Sequence, residues 1–126
     1  MWVQIAKRYA PAAAALLPRN LSPHIKAQSL ASAAEVAKRL YRAMDSEITL
    51  TPDQFLKHGG DCDSQFVFLL TLALALGYPP SSCTALVSTA DAGMLHISLR
   101  VDGKTYDALP TPWPADTRIL AEVPCA

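Results

Sequence analysis

The sequence predicts an α+β fold in which N-terminal helices and a central cysteine-bearing helix pack on a small antiparallel β-sheet. An apolar run from Phe66 to Leu76 contains no charged residue, is followed by Gly77, and is typical of a buried helix. Residues 95–101 alternate apolar and polar side chains, which is typical of a half-buried strand. Asp102-Gly103 then provides a two-residue hairpin turn into a returning strand.

Length and charge are those of a single domain. The chain has 126 residues and a formal net charge of zero, without a long basic or acidic run. Such a chain is long enough to bury a core. Its charge balance does not favour nucleic-acid binding. We predict one domain over residues 1–126, with an N-terminal helical extension at 1–31 and a core at 32–123.

The chain contains three widely separated cysteines, Cys62, Cys83 and Cys125. Their spacing matches neither a metal site nor a disulfide framework, so a reducing, cytoplasmic location is expected, without a metal ion or cofactor. No membrane association is expected, because the apolar run is too short to cross a bilayer. The segment from Lys7 to Leu17 resembles a signal peptide only faintly, so export is the minority interpretation.

The first half of the chain is predicted to be helical. Residues 2–17 form a helix that breaks or restarts at Pro11. A second helix begins either after Ser22-Pro23 or at the capping box from Ser32 to Glu35. A short third helix begins at the capping box Thr51–Gln54 and ends at Gly59.

A cysteine is predicted to open the core helix. Asp61 can serve as its N-cap, which puts Cys62 at the first helical position. A thiol there faces the positive end of the helix dipole, which favours the thiolate, whereas Asp61 and Asp63 oppose it. Taken alone, a lone cysteine is more typical of an inert buried residue. The preceding glycine pair lets a substrate backbone approach closely, so Gly60 is a candidate for substrate binding.

The second half is predicted to be β-rich. Strands are expected at 83–89, 95–101 and 104–109, with a last strand at 117–123. The proline-rich loop at 110–116 contains Trp113, which suits either a substrate or partner surface or a cap on the core.

The register of the hairpin brings a histidine and an aspartate to one face of the sheet. With Asp102-Gly103 as the loop, Ser98 faces Asp107, and His96 shares the face of Ser98. His96 and Asp107 are then diagonal neighbours on the polar face. An imidazole held by a carboxylate is suited to act as a general base. Taken alone, the pattern favours an ordinary surface pair on an exposed strand.

A cysteine at a helix N-terminus, a histidine on a strand and an aspartate on the next strand supply a nucleophile, a base and an orienting group. With these residues the chain resembles the transglutaminase-like superfamily of papain-type cysteine enzymes, in a Gly-Asp-Cys-Asp form often carried by bacteriophage and bacterial proteins. The resemblance covers roughly residues 32–112. It rests on Gly60-Asp61-Cys62-Asp63, Ala75-Leu76-Gly77-Tyr78-Pro79, His96-Ile97-Ser98-Leu99 and Tyr106-Asp107-Ala108-Leu109-Pro110.

The resemblance implies that Cys62 is the nucleophile, His96 the general base and acid, and Asp107 the orienting group. The oxyanion would be held by the backbone N–H of Cys62. Gln54 is a further oxyanion candidate on chemistry alone. The substrate would be a peptide or protein.

Three interpretations of the function remain open. The first is an acyl-transfer enzyme that hydrolyses or transamidates amides through a thioester. The second is a non-catalytic scaffold that binds proteins, such as phage structural proteins, as a virion or assembly component. The third is a metal site formed by His58, Cys62, Asp63 and His96, which no metal-type spacing supports.

Overall fold

The computed structural model describes residues 2–42, 50–89, 95–106 and 119–126. Within these ranges the chain forms four α-helices, a short 3-10 turn and four strands. They are α1 (Trp2–Ala14), α2 (Pro23–Arg39), α3 (Pro52–His58), α4 (Cys62–Ala75), the 3-10 turn Pro80–Ser82, β1 (Cys83–Thr89), β2 (Leu95–Val101), β3 (Lys104–Tyr106) and β4 (Ile119–Pro124). The predicted α+β class, with helices packed on a small antiparallel sheet, is confirmed.

The four strands form one sheet in the order β3-β2-β1-β4, and each neighbouring pair is antiparallel. Val101 pairs with Lys104 across the β2–β3 turn, so the predicted two-residue hairpin is confirmed. Asp102 has φ 49° and Gly103 has φ 80°. Left-handed backbone at both central residues suits the right-handed twist of the strands that they join.

The central helix α4 contacts α1, α2, α3 and β2. Within the run predicted to be buried, Phe66, Leu69, Leu70, Ala73 and Leu76 are each at most 5% exposed, whereas Phe68, Leu72 and Leu74 are partly buried. Contacts on several sides explain why the run lacks a polar face. At the C-terminus, Gly77 adopts φ +97° and its N–H donates to the Leu74 carbonyl, while the Tyr78 N–H donates to the Ala73 carbonyl. This pair of bonds is a Schellman motif, which ends the helix as predicted.

Helix α1 does not break at Pro11, and that prediction is wrong. The helix runs from Trp2 to Ala14 with Pro11 inside it. Proline removes one donor and one helical hydrogen bond, and here it stands in the last turn. Packing compensates, since Ala6 and Ala10 are buried and the Trp2 ring meets the Phe66 ring edge-on at 6.1 Å between centroids.

Helix α2 resolves the two predicted starts in favour of the first. Ser22 is the N-cap, its Oγ accepts a hydrogen bond from the Ile25 N–H at 3.3 Å, and Pro23 is the first helical residue. Leu30 in this helix and Ala6 in α1 share one hydrophobic core with α4 and the sheet. The predicted division at residue 31 therefore lies within a helix that packs on the common core.

Strand β2 is buried on both faces between His96 and Leu99, which corrects the prediction of a half-buried strand. Ile97 and Leu99 are 8% and 0% exposed, as expected for the apolar face. His96 and Ser98 on the opposite face are each 3% exposed. The alternation indicated which side chains share a face, and it carried no information on whether the polar face meets solvent.

Among the helices that the structure describes, none is both long and apolar enough to cross a membrane. Asp107 and Trp113 lie outside the described residues, as do the predicted loop at 110–116 and the end of the strand predicted at 104–109.

Candidate functional site

Cys62 occupies the first position of α4, as predicted, and Asp61 precedes it as N-cap with an extended backbone. The side chain of Asp61 makes no capping hydrogen bond, so the predicted side-chain cap is absent. Within the described part of the chain, Asp61 Oδ1 is buried without a hydrogen-bond partner. The first N–H groups of α4 are therefore not occupied by their own N-cap side chain.

The glycine pair before the cysteine packs against the end of α2. The Gly60 N–H donates to the Leu40 carbonyl at 3.1 Å, and the Arg42 N–H donates to the Gly60 carbonyl at 2.8 Å. Gly59 has φ +71°, and a Cβ there would lie 2.5 Å from the Leu40 carbonyl oxygen. This close approach requires glycine at position 59.

Gly60 is buried, and its surroundings account for its missing side chain. A Cβ at this position would lie 2.9 Å from Ser64 Cβ and 3.1 Å from Phe55 Cδ1. Ser64 and Phe55 are both fully buried, so neither can withdraw into solvent. The contacts that need glycine here come from within the chain, and a role for Gly60 in substrate binding stays a prediction.

The thiol of Cys62 lies against strand β2, beside the strand residue that follows His96. The Ile97 backbone N–H lies close enough to the Cys62 sulfur to lower the pKa of the thiol. Val101 and Leu99 pair with Lys104 and Tyr106 of β3, and alternate residues of a strand direct their N–H groups to the same edge. The Ile97 N–H therefore points to the edge of β2 that carries β3, past the last paired residue, Tyr106. In the other direction, the Cys62 thiol donates to Asp63 Oδ1 at 3.7 Å. The fold therefore brings Cys62 to the segment of β2 that carries the predicted base.

The pKa of the Cys62 thiol is raised from its ordinary value of 9.0 to about 11, chiefly by burial, and the carboxylates of Asp63 and Asp61 contribute to the same rise. The neighbouring Ile97 N–H lowers this pKa, but it does not offset the other causes. The direction of the shift is opposite to the effect expected of the helix N-terminus, which favours the thiolate. Desolvation, the largest cause of the shift, disfavours the charged form.

His96 lies on the buried polar face of β2, directly opposite Ser88 of β1. The Ser88 hydroxyl donates to the His96 carbonyl at 3.5 Å. The neighbouring Ser98 Oγ is buried and has no hydrogen-bond partner within the described ranges. The interpretation of His96 as an exposed surface histidine is wrong, because almost none of its side chain meets solvent. Its predicted partner, Asp107, lies outside the described residues.

Gln54 has a structural role at the start of α3. Its Oε1 accepts a hydrogen bond from the Thr51 N–H at 3.1 Å, while Thr51 Oγ1 accepts one from the Gln54 N–H at 3.4 Å. These two bonds form the predicted capping box. Its amide oxygen is thus committed to its own helix, and the oxyanion role remains a prediction from chemistry alone.

Tyr41 is a neighbour of the site that the sequence analysis missed. It forms an isolated parallel bridge with Gly60, two residues before the cysteine. Burial raises the pKa of Tyr41, and negative charge on Cys62 and on Asp61 raises it further. The residue lies in the segment that follows α2, and no sequence spacing links it to Cys62. Only the backbone pairing with the glycine segment reveals the proximity.

The described residues contain no group of three or more histidine, cysteine or acidic side chains that could hold a metal ion. The arrangement around Cys62 is instead that of a neutral thiol between two carboxylates and a backbone donor. A thiol of this kind can act as a nucleophile when a neighbouring base takes its proton. The chain matches no protein-family model, and no curated protein is significantly similar to it.

Proposed function

We propose that the protein is a cysteine-dependent acyl-transfer enzyme with a transglutaminase-like core, acting on amide bonds of a peptide or protein. Cys62 is the nucleophile, His96 the general base and acid, and Asp107 the group that orients the imidazole. The observation that carries this proposal is the proximity of the Ile97 backbone N–H to the Cys62 sulfur. The thiol therefore lies beside the strand residue that follows His96.

The raised thiol pKa makes general-base attack the appropriate route, because a resting thiolate is not required. His96 takes the thiol proton as the sulfur–carbon bond forms, and the carbonyl electron pair moves to oxygen. N–H groups in the first turn of α4 stabilise that oxyanion. The carbon–nitrogen bond then breaks, and the leaving amine takes the proton from His96. Water or a second amine attacks the resulting thioester, which gives hydrolysis or transamidation.

The second candidate is a non-catalytic transglutaminase-like scaffold that binds proteins, such as phage structural proteins in a virion. The raised pKa of Cys62 and its hydrogen bond to Asp63 favour this function, since both stabilise an unreactive thiol. The enzyme would act in the cytoplasm, whereas the scaffold would be part of an assembly. Acylation of the thiol distinguishes the two.

The test is acylation by p-nitrophenyl acetate, followed by intact and peptide mass measurements. We expect a single acetyl group on Cys62, removable by hydroxylamine. His96→Gln should slow the acetylation by at least about 100-fold, the lower range of general-base contributions. His58→Gln is the matched control, because His58 is exposed in α3, and it should leave the rate unchanged.

Because His96 is buried, the thermal midpoint of His96→Gln must first show that the variant is folded. A folded His96→Gln that acetylates at the wild-type rate would remove the base from the proposal. Absence of acetyl-Cys62 in the folded wild type would favour the scaffold.

A further inference from the structure

Two of the three cysteines face each other across the β1–β4 ladder. The last pairing between β1 and β4 sets Thr84 opposite Pro124. One residue further along, Cys83 precedes Thr84 and Cys125 follows Pro124, so the two cysteines come opposite each other. The Cys125 N–H donates to the Cys83 carbonyl at 3.0 Å. Directly opposed residues of antiparallel strands project from the same face of the sheet. Both side chains belong to the main hydrophobic core, at 0% and 2% exposure.

The Cα spacing of such a pair lies within the range of disulfides, whereas its Cβ atoms, about 4.5–5.5 Å apart, must move to about 3.5–4.5 Å for the bond to form. Hydrogen-bonded antiparallel partners have Cα atoms about 5.5 Å apart. Disulfide-linked cysteines have Cα atoms about 4.4–6.8 Å apart. Negative charge on Cys83 also raises the pKa of Cys125, which agrees with two thiols close together. Cys62 is not a competitor for either thiol, because Ile97 beside it and Val101 opposite Cys83 are four residues, about 13 Å, apart along β2.

We propose that Cys83 and Cys125 are a redox modification site that forms a reversible disulfide, with a small-molecule disulfide such as oxidised glutathione as the oxidant. One thiolate attacks the small disulfide, forming a mixed disulfide and releasing one small thiol. The second protein thiolate attacks the protein sulfur of the mixed disulfide and releases the other small thiol. Two protein S–H bonds and one S–S bond are thereby exchanged for one protein S–S bond and two small-molecule thiols.

The disulfide would fasten strand β4 to the sheet. In the described sheet β4 pairs only with β1, and all six of its residues, Ile119–Pro124, are exposed. Burial raises the pKa of Cys83, and it raises that of Cys125 to about 11. The exchange should therefore accelerate with increasing pH and require local opening of the β4 edge.

The test is incubation of the folded, reduced protein with oxidised glutathione at about pH 9, where the thiolate fraction of Cys125 is about 100-fold higher than at pH 7. Free thiols are then blocked in denaturant, and the protein is digested without reduction. We expect a peptide containing Cys83 joined to one containing Cys125, a mass lower by two hydrogen atoms, and reversal by dithiothreitol. The Cys62→Ser variant should give the same product, since Cys62 takes no part.

The conclusion does not depend on substitution of the buried thiols, because the wild type and Cys62→Ser carry the measurement. If both Cys83 and Cys125 are still recovered as blocked free thiols after prolonged oxidation, the proposal is overturned. A stable mixed disulfide with glutathione on either cysteine, or a bond to Cys62, would overturn it as well. A linked pair that forms only after denaturation would show that the native strands do not present the two thiols to each other.

Discussion

The pH dependence of Cys62 alkylation is the most direct measure of the candidate site. The thiol has a pKa of about 11 against an ordinary 9.0, a difference of about two pH units. Each unit lowers the thiolate fraction tenfold at neutral pH. Because only the thiolate reacts with iodoacetamide, Cys62 in the folded protein should react about 100-fold more slowly than an ordinary cysteine. Its rate should rise about tenfold per pH unit until the pH approaches that pKa.

The perturbation that tests the cause is Asp63→Asn. This change removes a carboxylate that raises the thiol pKa both by its charge and by accepting the thiol hydrogen bond. We expect the alkylation profile to move to lower pH. The displacement should be smaller than the full two units, because burial is the largest cause and remains. Asp53→Asn is the matched control, since Asp53 is exposed in the first turn of α3, and it should leave the profile unchanged.

The assay quenches the reaction at intervals and measures carboxamidomethylated Cys62 by peptide mass. The buried Cys83 and Cys125 serve as internal references for slow reaction. A wild-type midpoint below the ordinary thiol value of 9.0 would refute the reasoning. If that midpoint also rose in a folded His96→Gln variant, the resting site would contain a thiolate–imidazolium pair instead of a neutral thiol.

Three further predictions concern stability and are measured by denaturant unfolding. Leu70→Ala should lower the free energy of unfolding by about 2–5 kcal/mol, because Leu70 is fully buried in α4; a loss under about 1 kcal/mol would contradict its core position. Gly103→Ala should lower the free energy of unfolding by about 1–2 kcal/mol, because the backbone there is left-handed and nothing else opposes a Cβ. Gly59→Ala should cost about 1–3 kcal/mol more than Gly103→Ala, because its added Cβ would also meet the Leu40 carbonyl. Equal losses for the two variants would show that this clash relaxes. Thr51→Ala should cost about 1 kcal/mol through loss of the α3 capping box, and an unchanged midpoint would show that the cap is dispensable.

The parts of the fold that could be predicted from the sequence are those encoded locally. The uncharged run from Phe66 to Leu76 specifies a helix with no solvated face, and Gly77 specifies where it ends. Asp102-Gly103 specifies the hairpin and therefore the register of β2 with β3. The break predicted at Pro11 was wrong because a proline in a helix removes one hydrogen bond, whereas helix α1 is stabilised by the burial of Ala6 and Ala10 against other elements.

Properties of the site that depend on distant packing could not be predicted in the same way. The polarity of His96 and Ser98 predicts a shared face, but their burial depends on parts of the chain far away in sequence. The thiol pKa is a stronger example. The helix dipole and the flanking carboxylates can be recognised from Asp61-Cys62-Asp63, whereas the desolvation that is the largest cause of the raised pKa depends on how closely α4 packs.

The position of Cys62 is determined from two sides, and this constrains any function of the site. On one side, Gly60 is bonded to the backbone on both sides of Tyr41, which fixes the entry into α4. On the other side, the sulfur lies beside the Ile97 N–H of β2. A side chain on either glycine of this entry would clash with its neighbours, whereas the contact with Ile97 involves only backbone, so the α2 junction is the side that substitution can alter. A substitution at Gly59 or Gly60 should therefore alter the reactivity of Cys62 as well as the stability of the fold, although neither glycine has a side chain that could contact the sulfur.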